Sequence, residues 1–426
     1  MDPSQRTQNQ SIWRDTAALA LLLTASLKIM ANATISPALP ALEASFSAEA
    51  GAAYLVRFLV SAPSLTVVLV APLAGLAVDR FGRGWLLMAG VALFALSGSA
   101  GAYLPDLNTI VASRLLLGVA LAVTMTAQVA LVGDLFEGER RSAFMGGQVV
   151  AINFSGFLFI GGAGLVADLS PRLPFLIYAL PILLLPLLWP VVRQEQNRRR
   201  MLPDLEQPVD RSPSVQRAAE SKRWRLPAFS TGALSMVTVM LFFLMPSQLP
   251  FYLEFAGYNS ATGTALGLGA LTLSGAFTAL RFQKIRNRLG LARTFAAGFA
   301  VMGSGFAVLA VQPTWTFILP GCAFIGIGYA LVQPALFLLA LDIAPAERRG
   351  TVSGMVTTSL FLGQIVSPFV LTPLLQTQGF SVVYVTVGGV FGVLALGALA
   401  VQCWTRKEEV PSTNGPLKSA VRTAKS

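Results

Sequence analysis

Histidine is absent from the 426-residue chain, cysteine occurs twice, and charged residues make up only 12% of the sequence. The missing histidine removes the commonest metal ligand and proton shuttle. The two cysteines, Cys322 and Cys403, lie in or beside apolar runs, and their spacing predicts neither a disulfide framework nor a metal site. The sequence also lacks a nucleotide-binding loop and a nucleophile motif. We therefore expect no enzyme activity, no cofactor and no metal.

Hydrophobic residues make up 54% of the chain, and the mean hydropathy is +0.66. Twelve apolar runs are long enough to cross about 30 Å of hydrocarbon. They lie near residues 15–37, 54–78, 85–103, 109–133, 143–167, 173–192, 228–252, 262–283, 292–311, 315–341, 351–375 and 381–402. Because the runs are continuously apolar and do not alternate, they predict helices and not a β-barrel. The expected fold is an all-α polytopic membrane protein with twelve transmembrane helices.

A charged, proline-containing segment separates the first six runs from the last six. We expect a six-helix bundle over 1–192, a cytoplasmic linker over 193–225, a second bundle over 226–405 and a cytoplasmic tail over 406–426. Since the first run is too long for a signal peptide, we interpret it as a retained span.

Basic residues give the chain a net charge of +11. With the N-terminus inside, 27 of the 31 lysines and arginines fall in cytoplasmic loops, helix ends or tails; the exceptions are Lys28, Arg57, Arg114 and Arg172. The positive-inside rule therefore predicts an inner-membrane protein with both termini in the cytoplasm. Membrane topology accounts for the basic charge, so we expect no nucleic-acid partner.

Two short patterns recur at one spacing. Asp79-Arg80-Phe81-Gly82 is matched by Asn287-Arg288-Leu289-Gly290, and Asp134 with Glu139-Arg140-Arg141 is matched by Asp342 with Glu347-Arg348-Arg349. Both offsets are 208 residues (287 − 79 and 342 − 134). The repeat predicts two pseudo-symmetric halves with parallel orientation.

The segment from Gly75 to Arg83 resembles the loop 2–3 signature of the major facilitator superfamily, Gly-x-x-x-Asp-Arg-x-Gly-Arg. Ala77 replaces the commoner leucine of that signature. The resemblance implies a latch that closes the cytoplasmic side, in which Asp79 pairs with a nearby arginine. Its candidate gating residues are Gly75, Asp79, Arg80, Gly82, Arg83 and Arg140. The alternative is that the arginines are only positive-inside anchors.

Arg114 to Gly118 resembles the fourth-helix signature of the same superfamily, Arg-x-x-Gln-Gly, with Leu117 in place of glutamine. The resemblance implies a role for Arg114 in proton coupling or substrate binding. The alternative is a structural arginine bonded to the carbonyls of a neighbouring helix. Gly118 lies one turn away and would let another helix approach closely.

Drug–proton antiporters of the superfamily carry Gly-x-x-x-Gly-Pro-x-x-Gly-Gly in the fifth helix. Gly161 and Gly162 match its end, whereas Phe157 and Leu158 stand where Gly-Pro belongs. The resemblance therefore implies export, without the most specific pair of the signature.

Lys28 lies near the centre of the first span, and none of the twenty acidic residues lies near the middle of a predicted span. Thr24, Lys28 and Asn32 recur every four residues and share one helical face. This asymmetry predicts a positive cavity that favours an anionic or zwitterionic substrate, with Lys28 as its counter-ion and a candidate coupling group. The alternative is a structural lysine.

Further polar residues within the spans are candidates for the same cavity. With Lys28, Asn32 and Arg114, the predicted substrate-binding set comprises Gln128, Asn153, Gln248, Gln333 and Gln364. Hydrogen bonds between helices are the alternative role for each.

These observations predict a secondary active transporter that moves a small organic solute by alternating access, and specifically an exporter of an anionic or zwitterionic metabolite. The alternatives are a multidrug–proton antiporter and, outside this class, a membrane sensor that transports nothing. The expected partners are a small-molecule substrate, the lipid bilayer and, as a candidate coupling ion, the proton. We expect a monomer.

Overall fold

The computed structural model describes residues 15–136, 138–201, 224–344 and 348–408. Within these ranges, eleven helical segments are long and apolar enough to cross a membrane. The last of them is interrupted at Gly379, where φ of 77° and ψ of 167° separate two helices. Dividing it there gives the twelve predicted spans. Numbered in chain order, they are Thr16–Ser45, Ala52–Val78, Arg83–Ala102, Leu107–Leu135, Phe144–Ala167, Pro174–Asn197, Arg225–Phe255, Ser260–Leu289, Leu291–Val311, Trp315–Ile343, 351–378 and 380–400.

Most spans are formed by one helix each. These helices are Ala52–Phe81, Arg83–Ser99, Leu107–Leu135, Gly138–Ala167, Ser260–Leu289, Leu291–Val311, Trp315–Ile343 and the divided helix Arg349–Glu408. Spans 1, 6 and 7 are built from shorter helices. Their pieces are Thr16–Ala25, Leu27–Ala33 and Leu39–Ser45; Pro174–Ile177 and Leu185–Met201; and Arg225–Phe242 and Leu244–Phe255.

The predicted linker begins as helix, because the last helix of span 6 continues to Met201. The next helix begins at Arg225, and residues 202–223 lie outside the described part of the chain. The face that contains residues 201 and 225 is called the linker side below. The opposite face, with the turns at 46–51, 103–106, 168–173 and 256–259, is called the far side.

Polar side chains begin several spans by accepting hydrogen bonds from the first free backbone N–H groups. Asp15 accepts from the N–H of Ala17 at 2.9 Å, and Asp106 accepts from that of Thr109 at 2.9 Å. On the linker side, spans 2 and 8 each end at a glycine with positive φ, which is 98° at Gly82 and 78° at Gly290. A side chain disfavours this conformation, which explains glycine at both. The two turns lie 208 positions apart and have the symmetry that the repeat predicts.

Each half has its own buried core. In the first half it includes Phe94, Phe144 and Tyr178. In the second half, the Phe391 ring lies 6.0 Å from Phe299 and 5.9 Å from Phe306, measured between ring centroids. Large apolar side chains cover much of the outer surface; Leu76, for example, is 71% exposed. Cores within each half and apolar outer faces suit two helical bundles in lipid.

Candidate substrate site between the two halves

Span 11 of the second half meets spans 1 and 2 of the first half near mid-membrane. The Gln364 side-chain oxygen accepts hydrogen bonds from Asn32 Nδ2 at 3.3 Å and from Ser64 Oγ at 2.5 Å. All three side chains are buried, and the Asn32 Oδ1 has no hydrogen-bond partner among the described residues. The structure thus brings together two of the predicted candidates, Asn32 and Gln364, at the contact between the halves.

Lys28 lies one turn before Asn32 in the same short helix, Leu27–Ala33. Residues four apart share a helical face, so Lys28 lies on the face of span 1 that carries Asn32. The lysine is partly exposed, and no described carboxylate lies within 4 Å of its ammonium group. A charged group in this position requires water or an anionic ligand to offset the loss of bulk solvent. The role of Lys28 as a counter-ion stays a prediction.

Gln248, another predicted candidate, lies nearer the far side in a network that joins the halves. Its side-chain oxygen accepts from Arg57 Nε at 3.3 Å, and its Nε2 donates to Thr372 Oγ1 at 2.9 Å. Arg57 also forms an ion pair with Glu43 at 2.5 Å and lies 3.8 Å from the centroid of the Phe251 ring. The sequence placed Glu43 at a helix end and gave no sign of this pair.

Arg114 lies deep within the first half. Its Nη2 donates to the Gly98 carbonyl at 2.8 Å, and its guanidinium carbon lies 4.6 and 4.3 Å from the ring centroids of Phe175 and Tyr178. The residue is 0% exposed. Its described contacts are with spans 3 and 6 of the first half, and Nε and Nη1 have no hydrogen-bond partner among the described residues. The role of Arg114 in coupling, binding or structure stays a prediction.

Gly118 confirms the predicted close approach. A Cβ built there would lie 2.0 Å from Thr66 Oγ1 and 2.2 Å from the Pro63 carbonyl oxygen. Thr66 Oγ1 also donates to the Leu115 carbonyl at 2.7 Å. Spans 2 and 4 are thus in direct backbone contact at this point.

The remaining three amide candidates have different surroundings. Gln128 is buried, and its Nε2 donates to the Leu21 carbonyl at 2.8 Å, which ties span 4 to span 1. Asn153 is partly exposed and donates to the Val149 carbonyl at 2.9 Å. Its Oδ1 lies 3.3 Å from a Cβ built on Gly275, so it faces span 8. Gln333 is partly exposed on span 10.

The predicted gating cluster lies on the linker side. Arg83 forms an ion pair with Asp134, and Arg140 Nη2 pairs with Asp15 Oδ2 at 2.8 Å. Arg80 is exposed, and its guanidinium lies near the Phe81 ring. A Cβ added at Gly75 would meet no atom within 4 Å. The side chain of Asp79 lies outside those that the structure describes, so its pairing with an arginine stays a prediction.

Glu195 is a member of this cluster that the sequence analysis missed. Its carboxylate accepts from the backbone N–H groups of Arg83 at 2.9 Å and Gly84 at 2.6 Å, and the residue is 6% exposed. A negative charge at a helix N-terminus is favourable, because the unpaired N–H groups carry partial positive charge. Glu195 thus fixes the start of span 3 and the position of Arg83.

The two halves contact each other in the middle and on the far side. On the far side Asn259 Nδ2 and Thr262 Oγ1 donate to the Asp168 carboxylate at 2.8 and 2.7 Å. The other hydrogen bonds between described side chains of the two halves involve Tyr54–Gln376, Arg57–Gln248, Asn32–Gln364 and Ser64–Gln364. All of these pairs lie at mid-membrane or beyond it.

Glycines of span 5 indicate where the two halves are close together. A Cβ on Gly156 would lie 3.2 Å from Thr272 of span 8, and one on Gly164 would lie 2.4 Å from Ala265 of the same span. Toward the linker side, a Cβ on Gly75, Gly146 or Gly354 would meet no atom within 4 Å. The described side-chain hydrogen bonds that join the halves thus lie in the middle and on the far side.

Comparison with known proteins agrees with this architecture. The family model described as Major Facilitator Superfamily matches residues 21–368. Multidrug resistance protein 2 of Bacillus subtilis (strain 168) is 26% identical over 314 residues, which cover 73% of this chain and 77% of the relative. The bacillibactin exporter of the same organism is 23% identical over 371 residues, covering 85% and 90%.

A solved structure of the xylose transporter XylE from E. coli, in an inward open conformation, superposes with a TM-score of 0.68 at 19% identity. The match covers 95% of this chain and 98% of that one. At this identity the likeness supports the fold alone. On the family match and the two-bundle architecture, the chain belongs to the Major Facilitator Superfamily and is a secondary transporter.

Proposed function

We propose that this transporter is a multidrug-type efflux pump, which takes up organic compounds through the opening on the linker side and releases them on the far side. The structural observation that carries the proposal is the set of buried polar contacts that join the halves in the middle and on the far side. The relative named for multidrug resistance favours this alternative over the narrower metabolite exporter, and the relative named as an exporter supports the direction of transport.

The proposal requires the linker side to face the cytoplasm. The distribution of basic residues supports this orientation. Described arginines and lysines on the linker side include Arg80, Arg83, Arg140, Arg193, Arg281, Lys284, Arg286, Arg288 and Arg293. On the far side and in the far-side parts of the spans, the described basic residues are Arg57, Arg114 and Arg172. This asymmetry agrees with the preference of lysine and arginine for cytoplasmic loops.

Export of an anionic or zwitterionic metabolite is the second candidate function, and Lys28 favours it. The ammonium group faces the interface without a described carboxylate nearby. In a low dielectric it would attract a carboxylate and repel an organic cation. Within the efflux proposal, Lys28 therefore biases the pump toward acidic and zwitterionic compounds.

Transport into inverted membrane vesicles would test both levels of the proposal. Fluorescent anionic, zwitterionic and cationic compounds should enter the vesicles when a proton gradient is applied. Uptake should stop when a protonophore dissipates the gradient, because we propose protons as the coupling ion. Transport of none of the compounds, with protein present in the membrane, would refute the efflux function.

Substitution of Lys28 would test the charge preference. Lys28→Ala should reduce transport of anions at least tenfold more than transport of cations, and Lys28→Arg should retain most anion transport, because it keeps the charge. Lys284→Ala is the matched control, since that lysine is exposed at the end of span 8. Equal anion transport by Lys28→Ala and wild type would assign Lys28 a structural role and leave general efflux as the function.

A further inference from the structure

Arg57 connects the two halves through a hydrogen bond and a ring contact. Its Nε donates to Gln248 at 3.3 Å, and its guanidinium stacks on the Phe251 ring at 3.8 Å; both partners belong to span 7. Gln248 in turn donates to Thr372 of span 11. The arginine is 8% exposed, Gln248 is 2% exposed and Phe251 is 8% exposed, so these contacts are shielded from solvent.

Glu43 fixes the arginine in this position from the first half. Its carboxylate pairs with Arg57 Nη1 at 2.5 Å, and the same nitrogen donates to the Ala53 carbonyl at 2.6 Å. The guanidinium is planar, so holding one nitrogen also orients Nε toward span 7. Glu43 is therefore a positioning residue that presents Arg57 to the second half.

The other polar contacts on the far side are more exposed. Asp168, Asn259 and Thr262 lie in a solvent-exposed cluster, and Tyr54 bonds to Gln376 at 3.4 Å in an exposed position. Exposed polar pairs contribute little because water competes for both partners. Buried hydrogen bonds from a charged donor contribute more. Of the far-side contacts described, the network around Arg57 is thus the strongest polar link between the halves.

We propose that Arg57, positioned by Glu43, is the latch that holds the far side closed, and that its separation from Gln248 and Phe251 is a required step of far-side opening. Release of substrate needs spans 2 and 7 to move apart, and this movement breaks these contacts first. The latch stabilises the state that takes up substrate. It rests on the proposed orientation, in which the far side faces outward.

Ser61 provides a reporter of far-side opening. It is 0% exposed and lies one turn from Arg57 and from Ser64, which both contact the second half, so it shares their face of span 2. A Ser61→Cys variant, in a background with Cys322 and Cys403 replaced by alanine, would be labelled from outside whole cells with a membrane-impermeant maleimide. The rate of labelling then measures the population open on the far side.

Adding Arg57→Ala should raise the labelling rate of the Ser61→Cys reporter about tenfold, which corresponds to about 1.4 kcal/mol in the opening equilibrium. Gln248→Leu should also raise it severalfold while leaving the Arg57–Glu43 pair in place. Arg172→Ala is the matched control, because that arginine donates to the Leu104 carbonyl within the first half. The control should stay within about twofold of the parent rate.

A cysteine at Asn108, exposed on the far side, would report orientation and membrane insertion independently. Labelling of Asn108→Cys from outside validates the orientation, whereas its absence would overturn the orientation and the latch with it. With that control labelled, unchanged Ser61→Cys rates in both Arg57→Ala and Gln248→Leu would refute the latch alone. If Arg57→Ala fails to insert into the membrane, the Ser61→Cys labelling rate in Gln248→Leu alone tests the latch.

Transport kinetics add a readout that a purely structural role would not give. Loss of the latch lowers the fraction of molecules open to the cytoplasm. Because only these molecules take up substrate from that side, the apparent KM for vesicle uptake should rise in inverse proportion to that fraction. The maximal rate should change less, and Arg57→Lys should restore part of the KM because it can still bond to Gln248. A fall in maximal rate alone, with unchanged KM and an unchanged Ser61→Cys labelling rate, would contradict the latch.

Discussion

The contact between spans 2 and 4 at Gly118 gives a sharp test of the described packing. In Gly118→Ala the new methyl group would lie 2.0 Å from Thr66 Oγ1 and 2.2 Å from the Pro63 carbonyl oxygen. The threonine side chain could rotate away, but the carbonyl belongs to the backbone. Spans 2 and 4 must therefore move apart locally, which strains a contact that the first half depends on.

The expected cost follows from measured effects of overpacking. Forcing an extra methyl group into a packed interior costs about 1–3 kcal/mol. Separation of the spans would also weaken the hydrogen bond from Thr66 to the Leu115 carbonyl, which contributes about 1 kcal/mol. Against this, alanine gains up to about 1 kcal/mol over glycine in helix propensity. The net destabilisation should be about 1–3 kcal/mol.

Gly133→Ala is the matched control, because this glycine lies in the same helix and a Cβ there would meet no atom within 4 Å. Both variants replace glycine by alanine in the same helix. The difference between their unfolding midpoints therefore measures the effect of packing at Gly118. Thermal unfolding in detergent, followed by the fluorescence of the six tryptophans, would compare their midpoints. The same midpoint for both variants would refute the close approach of spans 2 and 4.

Three further predictions concern the linker side. Glu195→Ala should destabilise the first half and reduce transport, because two backbone N–H groups at the start of span 3 lose a charged acceptor worth roughly 1.5–3 kcal/mol; an unfolding midpoint and transport rate equal to wild type would contradict this. Asp79→Asn should reduce transport and favour opening toward the cytoplasm without loss of membrane insertion, and unchanged transport would leave the cluster as a topology anchor. A cysteine introduced at Ser212 should be protected from impermeant reagent in intact cells, and labelling there would reverse the proposed topology.

The number of spans and the two-fold repeat could be predicted from the sequence because lipid leaves few choices. Each backbone polar group must be satisfied inside its own segment, so long apolar runs become helices whatever their detailed composition. The repeat was visible because the turn glycines Gly82 and Gly290 keep the same spacing as the charged residues around them. Local sequence was sufficient for these features.

The contacts between the halves could be predicted only in part. Asn32, Gln248 and Gln364 were recognised as polar residues in apolar runs, but Asn32 and Gln364 lie 332 positions apart, and their pairing depends on how whole bundles pack. Glu43 was overlooked because it lies near the end of span 1. The short turn to span 2 brings it back beside Arg57, only 14 positions later. The enclosure of Arg114 depends on two rings of span 6, which no local pattern reveals.

Gly379 joins spans 11 and 12 through a single residue on the far side. Span 11 carries Gln364 and Thr372, which contact or support the first half, whereas span 12 exposes side chains such as Val393 and Leu396. With no loop between them to absorb movement, a tilt of span 11 must carry the far end of span 12 with it. The turnover of the transporter should therefore respond to bilayer thickness and lateral pressure, since each cycle deforms the surrounding lipid.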